Sequence, residues 1–257
     1  MPKLYHWEPN ANSGKPMLTL AEKGVAFESH YLDLLNFDQH KPDYLAVNPA
    51  GTIPAMTHEG RVFTESTAIM EYVDQAFPGP KLTPDDAYER WRMRWWMKFL
   101  DQYLAPSFSM IGWSVFVGPS VRDRDPAELE AAIARIPSPE RQTAWRKAIH
   151  NEFSVEEMAE STRRVSLGID LLEQALTERP WLAGETYSLA DINAFNLAYA
   201  MPLSQPALSN DIRTPKTLAW LRTIYARPAT QQIWAMGRTS LAQRVTYLSQ
   251  KPEAADA

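Results

Sequence analysis

The run Asn48-Pro49-Ala50-Gly51-Thr52-Ile53-Pro54, followed by Thr64-Glu65-Ser66, carries the plainest chemical signal in the chain. Pro54 closes a loop and opens an apolar strand, yet a proline has no ladder N–H to donate. A cis Ile53–Pro54 bond answers that geometry and turns the backbone of Ile53 outward as a free edge for a peptide-like ligand. Glu65 and Ser66 begin a helical pattern, where a capping serine and unpaired N–H groups attract a carboxylate. Together these positions predict a site for a small anionic peptide. Asn10-Ala11-Asn12-Ser13 also follows a strand and opens a helix, where the dipole and free amides favour a negative sulfur. Ser13 through its hydroxyl, or Asn12 through its amide N–H, could donate to that sulfur; a plain N-cap is the other reading of Ser13. The sequence has no cysteine, so any thiol must arrive with the ligand.

The surrounding pattern supplies elements to hold these residues. Residues 3–7 read as a strand, a helix starting at Ser13 stops at Gly24, and 27–32 alternate as a second strand. Residues 55–58 and 61–63 flank Glu59-Gly60 as a hairpin, and Ser66 opens a helix with Ile69, Tyr72, Val73 and Phe77 on one face. That order, βαβ then ββα, fits a thioredoxin-like domain over 1–78. A Pro/Gly-rich linker occupies 79–84. An all-helical domain is expected over 85–257, with an inserted segment near 114–153. Tyr88, Trp91, Trp95, Phe99 and Tyr103 recur at helical spacing as a stripe expected to face a core, with Trp91, Trp95 and Trp96 left to core or subunit contacts, and the helix is expected to end at Gly112 or Gly118-Pro119. Helices are expected near 126–135 and 139–149, along Val165–Leu176, and over 215–226 and 228–247, before a frayed tail at 251–257. Ser188-x-x-Asp191 reads as a capping box, with Asp191 as a folding determinant.

Composition narrows the function. The chain has 257 residues and a net charge of −5, with no basic stripe for nucleic acid. Five histidines show no metal-ligand spacing, and no metal is expected. No run approaches the roughly 18 apolar residues of a membrane span, and no signal peptide is visible. A cytoplasmic protein with no membrane partner is the expectation.

The motifs resemble those of the glutathione transferases along the whole chain. The carriers are Ser13 after the first strand, the N-P-x-G-x-x-P run at 48–54, the E-S pair at 65–66, and Ser188–Asp191 with Trp181-Leu182-Ala183-Gly184 before it. The resemblance implies glutathione as co-substrate, with Ile53 and Pro54 at its cysteinyl backbone and Glu65 and Ser66 at its γ-glutamyl end. Gln39 and His40 fall where its glycyl carboxylate is expected, and Lys41 could equally supply charge there. Ser13 and Asn12 would stabilise the thiolate. A homodimer is implied too.

Within that family the sequence is similar to the bacterial lignin β-etherases of the LigF type. Ala11-Asn12-Ser13-x-Lys15-Pro16, Phe37-x-Gln39-His40, Thr64-Glu65-Ser66-Thr67, Ile111-Gly112-Trp113 and the insertion Ile136–Arg146 carry this likeness. It implies attack of glutathione on the β-carbon of an aryl ether ketone, with a phenol released. Met110, Ile111, Trp113 and Phe116 are the expected substrate wall, with Gln142 and Trp145 reaching in from the insertion. For Gln142 and Trp145 a surface helix packed by Trp145 is the other reading. Two other functions stay open: a transferase for another electrophile, or a glutathione-binding carrier of aromatic ligands with little turnover.

Overall fold

The computed structural model describes residues 1–239 and 245–249. Strand β1 (Lys3–His6) leads through helix α1 (Gly14–Glu22) to β2 (Glu28–Tyr31), which lies parallel to β1. After a loop with two short 3₁₀ turns and helix α2 (Pro42–Leu45), β3 (Ala55–His58) returns antiparallel to β1 and turns into β4 (Arg61–Thr64). The sheet order is β2-β1-β3-β4. Glu59 and Gly60 both have left-handed φ, 51° and 74°, as a two-residue hairpin turn requires. Helix α3 (Ser66–Ala76) closes the layer. Leu4 and Met56 from the sheet, Leu18 and Leu20 from α1, and Ile69 and Val73 from α3 are fully buried together.

The linker is fastened rather than loose. Asp74 accepts from the Lys23 ammonium (3.1 Å) and from the Leu82 N–H (3.0 Å), all three residues being buried. Beyond it a single helical rod runs from Ala87 to Val121. It comprises α4 (Ala87–Phe99), a π turn (Leu100–Leu104), α5 (Ala105–Gly112), a second π turn (Trp113–Val117) and α6 (Gly118–Val121). Ala105 N–H bonds to the Leu100 carbonyl, and Gly118 N–H to that of Trp113. The helix therefore does not stop at Gly112 or Gly118; each glycine sits inside a continuing spiral. By length and composition this rod is apolar enough to cross a membrane, which the sequence reading did not anticipate. Here it is the spine of the helical domain, burying Met93, Met97, Leu100 and Leu104.

The expected inward stripe is reversed. Tyr88, Trp91 and Trp95 are 57%, 54% and 42% exposed, while Met93, Trp96 and Met97 face the core. Both faces of α4 are apolar, so spacing alone could not choose between them. The outer rings stack along the rod, Trp95 on Phe99 at 5.3 Å and Phe99 on Tyr103 at 5.3 Å.

The insertion forms α7 (Pro126–Ala134) and α8 (Pro139–His150). The bundle continues with α9 (Val155–Glu178), α10 (Leu189–Ala198), α11 (Met201–Ser204), α12 (Pro215–Tyr225) and α13 (Pro228–Trp234). Helix α13 ends well short of residue 247; part of that expected helix, and the 251–257 tail, lie outside the described residues. Ser188 and Asp191 form a full capping box, and Asp191 also accepts from the Leu182 N–H and the Trp220 indole N–H, each at 3.0 Å.

Candidate functional site

The sheet register brings the separated motifs to one end of the fold. Tyr5 pairs with Ala55, and Ala55 with Thr64. Continuing past the ladder, Trp7 comes opposite Ile53, and Pro54 opposite Glu65. The Ile53–Pro54 bond is cis. Among the described residues neither the N–H nor the carbonyl of Ile53 has a hydrogen-bond partner. The loop before it is held by buried Asn48, whose amide donates to the Thr52 carbonyl (2.8 Å) and accepts from the Ala50 N–H (3.2 Å). This gives the asparagine of the N-P-x-G motif its physical role.

Helix α3 begins uncapped. Glu65 stands at the N-cap with φ 64° and ψ 109°, exposed, and no side chain reaches the first N–H groups. Ser66 is thus the first helical residue and not the cap. A left-handed glutamate costs about 1–3 kcal/mol and persists only where the surroundings hold it. Among the described residues the N–H groups of Ser66, Thr67 and Ala68 have no partner, and together they form a ready anion seat.

Ser13 stands at the N-cap position of α1, as expected, but its side chain makes no cap. It is 1% exposed, caps nothing, and its hydroxyl accepts the Trp7 N–H at 2.9 Å. The hydroxyl proton stays free to donate. Asn12 is exposed, and among the described residues the backbone N–H groups of Asn12 and Ser13 have no partner. Gly14 lets this turn press against the bundle: a Cβ there would lie 1.8 Å from the Pro9 carbonyl oxygen and 2.1 Å from Asn196 Oδ1.

Gln39 and His40 are both buried, 3% and 2% exposed, against Gly51. The His40 ring is not a loop cation: burial, then the charges of Arg141 and Arg135, hold it down to about 4. Gln39 Oε1 and His40 Nδ1 have no partner among the described residues.

A partly buried polar knot, unseen in the sequence, ties the starts of α1 and α3 to the first π turn. Asp101 accepts from Lys15 Nζ (3.0 Å), Thr67 Oγ1 (2.6 Å) and Asn193 Nδ2 (3.3 Å). Burial pulls the Lys15 ammonium down, opposed by Asp101 and by Glu65. These four residues come from distant segments, and no local pattern could pair them.

The six expected substrate residues separate. Ile111 and Trp145 are 3% and 2% exposed and belong to cores. Gln142 donates its amide to the Ile136 carbonyl at 2.9 Å, closing the turn between α7 and α8. Met110, Trp113 and Phe116 remain half-buried; Met110 Sδ accepts from Ser161. Two surface grooves, of about 360 and 340 Å³, lie elsewhere: one along Trp91 and Trp95, the other between Lys41 and Arg135. Among the described residues no three His, Cys, Asp or Glu side chains gather as for a metal.

Residues 4–81 match the glutathione S-transferase N-terminal domain family, and 104–228 the glutathione S-transferase C-terminal domain family. The chain belongs to the glutathione transferases, enzymes that use glutathione as co-substrate. It is 39% identical to Protein LigF of Sphingobium sp. (strain NBRC 103272 / SYK-6) over 240 residues, covering 90% of this chain and 92% of LigF. Glutathione S-transferase 3 of Zea mays is 28% identical, covering 90% and 91%. In three dimensions the chain superposes on the crystal structure of beta-etherase LigF from Sphingobium sp. strain SYK-6 with a TM-score of 0.87, 37% identity, and coverage of 92% and 99%. Glutathione transferase F7 from Populus trichocarpa gives 0.71 at 25% identity, covering 93% and 100%.

Proposed function

We propose that this chain cleaves β-aryl ethers of lignin-derived aromatic ketones with glutathione. The observation that carries the reading is the likeness to beta-etherase LigF, 39% identical over 90% of the chain. The geometry supplies the parts. Glutathione pairs its cysteinyl backbone with the free edge of Ile53 beside Pro54. Its γ-glutamyl carboxylate sits at the Ser66 end of α3, with Glu65 at its ammonium. Its glycyl end lies along the loop of Gln39, His40 and Lys41. The sulfur then falls near the unpaired N–H groups of Asn12 and Ser13 and the Ser13 hydroxyl.

In the reaction the thiolate attacks the carbon between the ketone and the ether oxygen. A C–S bond forms as the C–O bond breaks, and the phenolate leaves with the electron pair and takes a proton from water. The adjacent carbonyl activates that carbon, and a phenolate needs little acid assistance, so placement and thiolate stabilisation suffice. Met110, Trp113 and Phe116 wall the aromatic substrate; Ile111, Gln142 and Trp145 shape that wall from behind. The exposed Trp91 and Trp95 stripe is the face for a homodimer, and the cytoplasm, rich in glutathione, is the place of action.

The test is release of a fluorescent phenol from a racemic β-aryl ether ketone, with and without glutathione. Release that requires glutathione and leaves a thioether is expected, with a plateau at half conversion if one enantiomer reacts. Protein that binds glutathione and releases no phenol would move the function to another electrophile or to a carrier.

A further inference from the structure

Phe37 has φ 55° and ψ 29°, the left-handed region that favours glycine, although it is a bulky aromatic residue and only 1% exposed. The loop it begins holds Gln39 and His40 in the interior with Gln39 Oε1 and His40 Nδ1 unpartnered. Such a loop, left to itself, gains by opening to water. What opposes opening is a second hydrophobic cluster, separate from the main core. The Phe37 ring lies 4.4 Å from that of Trp145, and Trp145 meets Trp113 edge-on at 4.8 Å. Val117, Val121, Leu129, Ile133, Ile136 and Ile149 are among its other buried members, all from the inserted region or the rod leading into it. Among the described residues Phe37 is the only fully buried member contributed by the thioredoxin-like half.

We infer that the inserted segment is a clamp on the glutathione loop, and that Trp145 is a positioning residue for glutathione acting through Phe37. This rests on the assignment of Gln39 and His40 to the glutathione site, and not on the choice of electrophile. Trp145 touches no reacting atom; it holds a strained loop in its binding shape.

The experiment compares Trp145→Ala, Trp145→Phe and Phe37→Leu with Gln39→Ala, and with Ile224→Ala as a core truncation in α12. Glutathione affinity is read by calorimetry, amide exchange of residues 33–41 by mass spectrometry, and turnover at saturating glutathione. Trp145→Ala and Phe37→Leu are expected to weaken glutathione about tenfold and speed exchange in the loop, with kcat kept within about threefold in Phe37→Leu, which leaves the rings of Trp145 and Trp113 in place. Trp145→Phe keeps a ring against Phe37 and should recover most of the affinity. Unchanged loop exchange in both Trp145→Ala and Phe37→Leu would overturn the clamp. So would an equal loss of affinity in Ile224→Ala, which marks general destabilisation. An unmoved affinity in Gln39→Ala, with faster loop exchange in Trp145→Ala, overturns the positioning role by removing the loop from the glutathione site. Wild-type protein that binds glutathione but cleaves no ether would sink the etherase reading and leave the clamp standing.

Discussion

Ser13 serves the fold before it serves any ligand, because its hydroxyl is what satisfies the buried Trp7 N–H. Ser13→Ala should therefore lower stability by about 1–3 kcal/mol, the cost of an orphaned buried donor, visible as a shifted urea midpoint. Turnover should fall by no more than about tenfold, because the N–H groups of Asn12 and Ser13 remain; loss below detection at saturating glutathione would show the hydroxyl to be indispensable. His40 gives a second prediction. Its folded value, about 4, lies below the ordinary 6.5 of an exposed ring. The unfolded chain then binds the extra proton between those limits, so stability present above pH 6.5 is lost as pH falls towards 4. Denaturant titrations from pH 7 to 4.5 should show it, and His40→Asn should flatten the slope.

Among the elements, α1 and α3 matter through how they begin. Asp101 joins the two starts, and its loss would strand the buried Lys15 ammonium. Asp101→Asn should cost about 2–3 kcal/mol, since breaking one side of a partly buried pair is dearer than removing both. The double variant Lys15→Met/Asp101→Leu should recover part of it; no recovery in urea unfolding would deny the coupling. Most elements were legible from punctuation: Gly24 ends α1 with φ 66°, Glu59-Gly60 makes its turn, and Ser188–Asp191 caps α10. The inner face of α4 was not legible, because Trp91 and Trp95 carry the same period as Met93 and Met97. At the candidate site, the free edge of Ile53 beside a cis Pro54 and the helix start at Ser66 could be read from local motifs. Asp101 could not, since three of its partners come from segments 34 to 92 residues away. Gln142 and Trp145 were read either as pocket groups or as part of a surface helix packed by Trp145; the burial of Trp145 and the carbonyl partner of Gln142 favour the second reading.

At the scale of the whole molecule, the outer stripe of α4 is too apolar to be left bare without consequence. Trp91→Glu with Trp95→Glu is expected to convert a dimer to a monomer in sedimentation runs, with glutathione affinity unchanged; a monomeric wild-type protein would refute the proposed dimer face. The long rod from Ala87 to Val121 sets the orientation of everything attached to it. An extra residue wound into a helix is a rotation, about 100° for each. The π turns at Leu100–Leu104 and Trp113–Val117 thus act as two fixed gear changes. Between them the rod aims Asp101 at the helix starts, Met110 at the bundle and Val121 at the insertion. Deleting a single residue in the second turn would wind it back to ordinary pitch. That would swing the insertion away from the loop it covers, though every deleted atom lay outside the proposed glutathione site.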